Sequence, residues 1–116
     1  MLALSHHSKI FLCTEPTDMR RGFRGLSNIV RDKFEADPTD GSLFLFINRR
    51  RDRMKLLHFA DGGFWLYYRL LEVGTFEVLE ANDNSIKRQI DATELSMLLS
   101  GVSLAASTKR RKRYVA

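Results

Sequence analysis

Apolar runs separated by turn-forming residues predict a series of short strands. The run at residues 8–13 ends in a Pro-containing polar segment and is typical of a buried strand. The uninterrupted apolar run at residues 43–47 predicts a central strand, and residues 54–59 predict its return. Between these two, residues 48–53 predict a hairpin tip. Weaker patterns predict two further strands: residues 75–79 and 85–90.

Helical spacing of apolar residues predicts a first helix over residues 19–34, with Thr17 or Asp18 as its N-cap. Its apolar stripe comprises Met19, Phe23, Leu26, Ile29, Val30 and Phe34. The helix would contain Gly22 and Gly25, and each glycine inside a helix costs up to about 1 kcal/mol relative to alanine. We expect a structural reason for these glycines, namely close approach of the helix to another backbone. The alternative is that they give access to the backbone of a partner.

The last helix has the clearest signals. Asp91 is the expected N-cap and Glu94 stands in the capping-box position, while Gly101 marks the end. Its apolar stripe comprises Leu95, Leu98, Leu99 and Val102.

Residues 64–72 are ambiguous between a strand and a helix. Phe64, Tyr67, Tyr68 and Leu71 fit helical spacing, and Gly74 is well placed as the residue after a helix. The aromatic stretch beside Arg69 is expected to lie in the core, with stacking on unpaired bases as the alternative.

Together these patterns predict one compact α+β domain over residues 1–105. It would contain a small mixed, mostly antiparallel sheet and about three helices. Turn clusters are expected at residues 37–41, 61–63 and 81–84. A basic tail, residues 106–116, is expected to be flexible.

Charge is concentrated in two clusters. The chain of 116 residues has 19 bases and 14 acids, a net charge of +5. Residues 109–113 are all basic, and residues 49–55 contain five bases against Asp52. The rest of the chain is therefore net negative, and this asymmetry favours a polyanionic partner.

These clusters define the candidate DNA contacts. Arginine donates bidentately to phosphate, and Arg20, Arg21 and Arg24 at the start of the first helix would add a second line of contacts. The expected set is Arg20, Arg21, Arg24, Arg49, Arg50, Arg51, Arg53, Lys55, Lys109, Arg110, Arg111, Lys112 and Arg113.

No catalytic or metal site is predicted, and neither a cofactor nor a small-molecule substrate is expected. Phosphate-binding glycine motifs with strand–loop–helix context do not occur. Cys13 with His58 is the weak candidate for nucleophilic catalysis, and Cys13 in an apolar run is more simply a small core residue. The other groups considered for metal or acid chemistry are His6, His7, Asp18, Asp61 and Asp91, and each is more simply a solvated, capping or turn residue.

Cys13 is the single cysteine, so no internal disulfide can form and a reducing cytoplasm is expected. No signal peptide or membrane-spanning run is predicted. If it binds DNA, the protein would be nucleoid-associated.

An ordered set of motifs resembles a known family. The motifs are Thr17-Asp18-Met19-Arg20-Arg21-Gly22-Phe23-x-Gly25-Leu26, Asp37-Pro38, residues 43–46, residues 48–57, Asp61-Gly62-Gly63-Phe64-Trp65-Leu66, Glu72-x-Gly74-x-Phe76 and Glu94-Leu95-x-Met97-Leu98-Leu99-x-Gly101-Val102. Over residues 8–103 the chain resembles the small accessory protein, called TnpB or Orf-two-like, of the insertion sequence 66 family of bacterial mobile elements.

The resemblance implies an accessory protein needed for efficient transposition beside a separate transposase. With the basic clusters, it predicts a non-catalytic protein that binds double-stranded DNA, including the element ends as a candidate site. The alternative is a protein–protein adaptor that docks on the transposase or on another accessory protein without binding DNA.

Overall fold

The computed structural model describes residues 8–77 and 85–100. Within them lie five strands and two helices. In chain order these are β1 (Ile10–Cys13), α1 (Phe23–Asp32), β2 (Leu43–Ile47), β3 (Arg53–Ala60), β4 (Gly63–Leu70), β5 (Lys87–Ile90) and α2 (Ala92–Ser100).

The five strands form one sheet in the order β4-β3-β2-β1-β5. Among these described strands, only β1 and β2 are parallel, and α1 lies between them in the chain; the other three pairings are antiparallel. The expected α+β class with a mostly antiparallel mixed sheet is therefore confirmed.

Strand β2 is buried on both faces, which explains its uninterrupted apolar sequence. Phe44 and Phe46 face α1, where both rings lie within 6.1 Å of the Phe34 ring centroid. The alternate positions, among them Leu45, face the opposite side, where Leu95 of α2 is buried. The sheet thus separates two apolar cores, one under each helix.

Two lysines show that α1 lies across the sheet. Lys55 on β3 donates to the carbonyl of Arg21, just before α1, at 2.8 Å. Lys87 on β5 donates to the carbonyl of Phe34, just after α1, at 2.9 Å. Because β2 and β1 lie between β3 and β5, the helix spans four strands.

The predicted start of the first helix is wrong. Helix α1 begins at Phe23, with Gly22 in extended conformation at its N-cap and no side-chain capping bond. Asp18 instead accepts a hydrogen bond from the Arg20 backbone N–H at 2.9 Å, which closes a local turn. Asp18 and Thr17 therefore do not cap α1, Gly22 lies outside it, and Arg20 does not share a helical face with Arg24.

Of the two alternatives for residues 64–72, the strand is the one that forms, and it is β4. Asp61 and Gly62 have φ values of 53° and 79°, so they form a two-residue turn with both residues left-handed. This geometry matches the twist of a hairpin. The turn aligns β4 with β3 over the full strand, from Ala60 opposite Gly63 to Arg53 opposite Leu70. Pairing with β3 therefore overrides the helical spacing.

The last helix is confirmed, together with its capping box. The Glu94 N–H donates to Asp91 Oδ1 at 2.7 Å, and the Asp91 N–H donates to Glu94 Oε1 at 3.1 Å. Leu95 and Leu98 of this helix are buried against the sheet.

Residues 75–77 do not form the predicted strand, although Phe76 is fully buried. Other predictions lie outside the described residues: the remainder of that strand, the turn at residues 81–84, the helix end at Gly101 and Val102, and the basic tail.

Candidate nucleic-acid interface

A groove of about 490 Å³ lies at the carboxyl ends of the parallel strands β1 and β2. Its walls are the segment after β1, one side of α1, and the loop after β2. In open α/β sheets, ligands commonly bind outside the carboxyl ends of parallel strands. The basic lining residues are Arg21, Lys33, Arg49 and Arg50, and Glu15 and Asp18 are the acidic ones.

The groove brings the two predicted arginine groups together. Arg21 comes from the segment before α1, and Arg49 and Arg50 come from the β2–β3 loop. A smaller pocket of about 180 Å³, which shares Glu15 with the groove, also contacts Arg49 and adds Arg51. Both arginine groups therefore border the segment that follows β1.

The β2–β3 loop is shaped by Asn48. Its Oδ1 accepts hydrogen bonds from the N–H groups of Asp52 and Arg53, both at 3.0 Å. Its Nδ2 donates to Asp52 Oδ1 at 2.7 Å. An asparagine that bonds nearby backbone fixes a turn without help from a strand ladder. The loop therefore presents its exposed arginines from a defined backbone.

The segment after β4 ties the same loop down from outside. The Phe76 N–H donates to the Arg51 carbonyl at 2.6 Å, and the Leu71 N–H donates to the Asp52 carbonyl at 2.7 Å. Arg51 has a left-handed φ of 60°, an uncommon conformation for a residue with a side chain. Because Phe76 is buried and its N–H binds the Arg51 carbonyl, it helps to hold Arg51 of the β2–β3 loop in this conformation.

Lys55 differs from the other predicted contacts, because it is only 7% exposed. Its ammonium donates to the carbonyls of Met19 and Arg21 at 2.7 and 2.8 Å, and it lies 4.8 Å from the centre of the Tyr68 ring. The Lys55 ammonium therefore finds its partners within the protein. Lys55 therefore positions the segment that carries Arg21, and it does not face a phosphate.

Arg20 is exposed but already paired. Its Nη2 lies 2.6 Å from Asp18 Oδ2, and its Nε donates to the same carboxylate. The Arg20 side-chain hydrogen bonds, followed by its backbone N–H, lower the pKa of Asp18 to about 2. The carboxylate thus offsets the positive charge of Arg20 next to the groove.

The remaining arginines of the predicted interface are exposed. Arg24 lies in the first turn of α1, and Arg53 begins β3. The side chain of Arg21 lies over Gly25, where an added Cβ would be 3.1 Å from the Arg21 Cβ. Gly25 therefore makes room for an arginine side chain, whereas close approach to another backbone was expected. Residues 109–113 lie outside the described part of the chain.

The Cys13–His58 pair does not form. Cys13 lies in the core under α1, whereas His58 pairs with Leu43, whose side chain belongs to the opposite core. Burial raises the pKa of the Cys13 thiol. In residues 8–77 and 85–100, no three His, Cys, Asp or Glu side chains form a group that could hold a metal ion.

In residues 8–77 and 85–100, neither helix has the length and apolar character of a membrane span.

The fold and the groove together define a small α+β protein with an arginine-lined groove at the carboxyl ends of its parallel strands.

The chain belongs to the family described as IS66 Orf2 like protein, which matches residues 8–109. Membership associates it with the IS66 transposition system. The family resemblance of the sequence is thereby confirmed.

Two proteins of Sinorhizobium fredii (strain NBRC 101917 / NGR234) are similar to it. Uncharacterized protein y4jC is 31% identical over 102 residues, covering 88% of this chain and 86% of its own length. Uncharacterized protein y4hO is 32% identical over 102 residues, covering 88% and 87%. No solved structure matches the chain.

Several residues that build the interface were not singled out from the sequence. Asn48 falls within the predicted hairpin tip and within a family motif, but the sequence assigns it no separate role. Asparagine is common in turns because its side chain bonds nearby backbone, and Asn48 does so here. The roles of Phe76 and Lys33 carried no local signal, because each depends on a contact with a distant segment.

Proposed function

We propose that this protein is a non-catalytic accessory factor that binds DNA and assists a separate transposase. The observation that carries the proposal is the convergence of Arg21, Arg49 and Arg50 on one groove. Arginine forks match phosphate oxygens bidentately, so three of them in one concave surface suit a polyphosphate backbone.

The proposed contact surface follows from the placement of each side chain. Arg21, Arg49 and Arg50 contact phosphates within the groove, and Arg24, Arg51 and Arg53 extend the contact beyond it. Arg20 contributes less because Asp18 offsets its charge. Lys55 acts indirectly, by holding the Arg21 backbone. The tail, residues 109–113, adds affinity without sequence preference.

The direct test is an affinity titration of the full chain against an element-end duplex and a scrambled duplex across a salt series. We expect log affinity to fall linearly with log salt, by about 0.9 for each phosphate contact. A preference for the element end would assign end recognition to the protein. Equal binding would indicate a non-specific role, and no binding at about 100 mM salt would contradict DNA binding.

Charge reversal in the groove tests the contact surface. Arg50→Glu should weaken binding to every duplex and make the salt slope shallower by about one contact, because a groove arginine is lost. Lys9→Glu is the matched control, since Lys9 is exposed just before β1, at the opposite end of the strand from the groove. Equal affinities for the two variants would contradict the groove assignment.

An adaptor function is the second candidate, favoured by the carboxylates of Glu15 and Asp18 beside the groove arginines. Such mixed charge suits a protein surface better than a uniform polyanion. Capture of the element's transposase by the tagged full chain, with and without nuclease, separates the two functions. An adaptor retains the transposase after digestion of the DNA, whereas a DNA-bridged complex releases it.

A further inference from the structure

Two aromatic side chains are exposed near the arginines on the α1 side of the sheet. Tyr68 is 51% exposed on β4, and Phe23 is 49% exposed at the start of α1. The aromatic stretch of β4 was expected in the core, and Phe23 was expected in the buried stripe of α1. Neither ring is fully buried, so each has a free surface that a ligand could contact.

The strand register places Tyr68 on the face that carries Lys55, because these two residues are directly opposite each other. The Lys55 ammonium lies 4.8 Å from the Tyr68 ring centre and also binds the carbonyl of Arg21. Phe23 follows Arg21 by two residues. Tyr68 therefore lies beside the segment that carries Arg21 into the groove and leads into Phe23.

The Tyr68 ring is held in place. Its hydroxyl accepts a hydrogen bond from Arg53 Nη1 at 2.8 Å, and the Lys55 ammonium contacts the ring. Half of the side chain nevertheless remains exposed. A ring that is fixed before binding loses little conformational entropy when a flat ligand stacks on it.

Positive charge surrounds these rings. Arg21, Arg24 and Arg53 are all exposed next to Phe23 or Tyr68. Aromatic rings interleaved with arginines are typical of surfaces that bind single-stranded nucleic acid, where bases stack on the rings and phosphates contact the cations. The bases of an intact duplex are stacked on each other and cannot offer a face to a ring.

We infer that the surface formed by Phe23, Arg53 and Tyr68 binds unpaired bases of DNA next to the duplex contacted by the groove. This inference rests on the proposed DNA binding and specifies its substrate as a duplex with an unpaired or splayed end. The groove contacts phosphates, and the aromatic surface stacks on the adjoining single strand.

The test compares the full chain on a blunt duplex and on the same duplex with a short single-stranded overhang. We expect tighter binding to the overhang probe. Tyr68→Ala should lower the affinity for that probe roughly tenfold more than it lowers the blunt-duplex affinity, because one base-stacking contact is lost. Tyr68→Phe keeps the ring and should retain the preference.

Trp65→Ala is the matched control. Trp65 is 55% exposed on the same strand. Successive side chains of a strand point to opposite faces, so Trp65, three residues before Tyr68, lies on the other face of the sheet. This variant should bind both probes as the unmodified protein does.

The outcomes are distinguishable. Equal binding of the unmodified protein to both probes would overturn this inference alone. So would an equal loss for both probes in Tyr68→Ala, or an unchanged overhang preference in that variant. If Tyr68→Ala loses the transposase but no DNA affinity, the surface docks a protein instead. Absence of binding to every DNA probe would overturn the proposed function as well.

Discussion

Asp18 and Arg20 form an exposed ion pair beside the groove, and its charge state depends on pH. The pKa of Asp18 is lowered from its ordinary value of 3.8 to about 2, chiefly by the side-chain hydrogen bonds from Arg20. A carboxyl whose pKa is lowered by folding stabilises the folded state above its ordinary pKa. That contribution is lost as the pH falls from 3.8 to about 2.

We expect Arg20→Ala to raise the pKa of Asp18 part of the way back to its ordinary value. The backbone N–H of residue 20 remains as a donor, so the recovery should be incomplete. An NMR titration of the side-chain carboxyl groups measures this change. Asp37 is the internal control, because its pKa is lowered mainly by Thr39 and should not respond. An unchanged Asp18 titration would show that Arg20 is not the cause.

For individual side chains, the sequence identifies which are basic but cannot assign their roles. Arg20, Arg21 and Lys55 look equivalent as cations. In the folded chain Arg20 pairs with Asp18, Arg21 lines the groove, and Lys55 is buried against backbone carbonyls. The roles of Arg21 and Lys55 depend on contacts with segments distant in the chain. The role of Arg20 depends on a local turn that places it beside the Asp18 carboxylate.

At the scale of elements, the turn between β3 and β4 decides the structure of the segment that follows. Asp-Gly is a strong signal for a two-residue hairpin turn, and here Asp61 and Gly62 both adopt positive φ. The helical spacing of the aromatic residues beyond it is coincidental. A turn signal of this kind should outweigh apolar spacing over eight residues.

The two adjacent glycines give a matched test of this turn. Gly62→Ala should lower the free energy of unfolding by about 1 kcal/mol, because a side chain is unfavourable at its φ of 79°. Gly63→Ala should change it much less, since Gly63 has no positive φ and open space surrounds its missing Cβ. Urea unfolding of both variants measures the difference. Equal effects would indicate that the turn is not left-handed at Gly62.

Helix α1 shows the opposite balance between local and distant interactions. Its first turn has no acidic residue and no side-chain cap. The Lys55 ammonium instead binds the carbonyls of Met19 and Arg21 just before it. The start of α1 is therefore held by a tertiary contact, which explains why capping signals placed it four residues too early.

At the scale of the whole molecule, Lys55 links β3, the approach to α1 and the ring of Tyr68. Lys55→Ala would leave two carbonyls without their charged donor and remove the packing of the lysine chain. Hydrogen bonds from charged groups contribute about 1.5–3 kcal/mol each.

We therefore expect Lys55→Ala to lower the free energy of unfolding by about 2 kcal/mol or more, as measured by urea unfolding. Lys9→Ala removes an exposed lysine and should leave stability nearly unchanged. Equal stability of these two variants would contradict the structural role of Lys55. DNA affinity should also fall in Lys55→Ala, because Arg21 loses its backbone support.

Local sequence patterns are sufficient to predict the α+β class, the central buried strand, the β2–β3 hairpin with its arginine tip, and the capping box of α2. Each depends on residues close together in the chain, whose pattern reports burial or hydrogen bonding directly. Three features became visible only in the folded chain: the sheet order, the position of α1 across four strands, and the groove that gathers Arg21 with Arg49 and Arg50. These features depend on long-range pairing and on two lysine–carbonyl contacts, which no local pattern encodes.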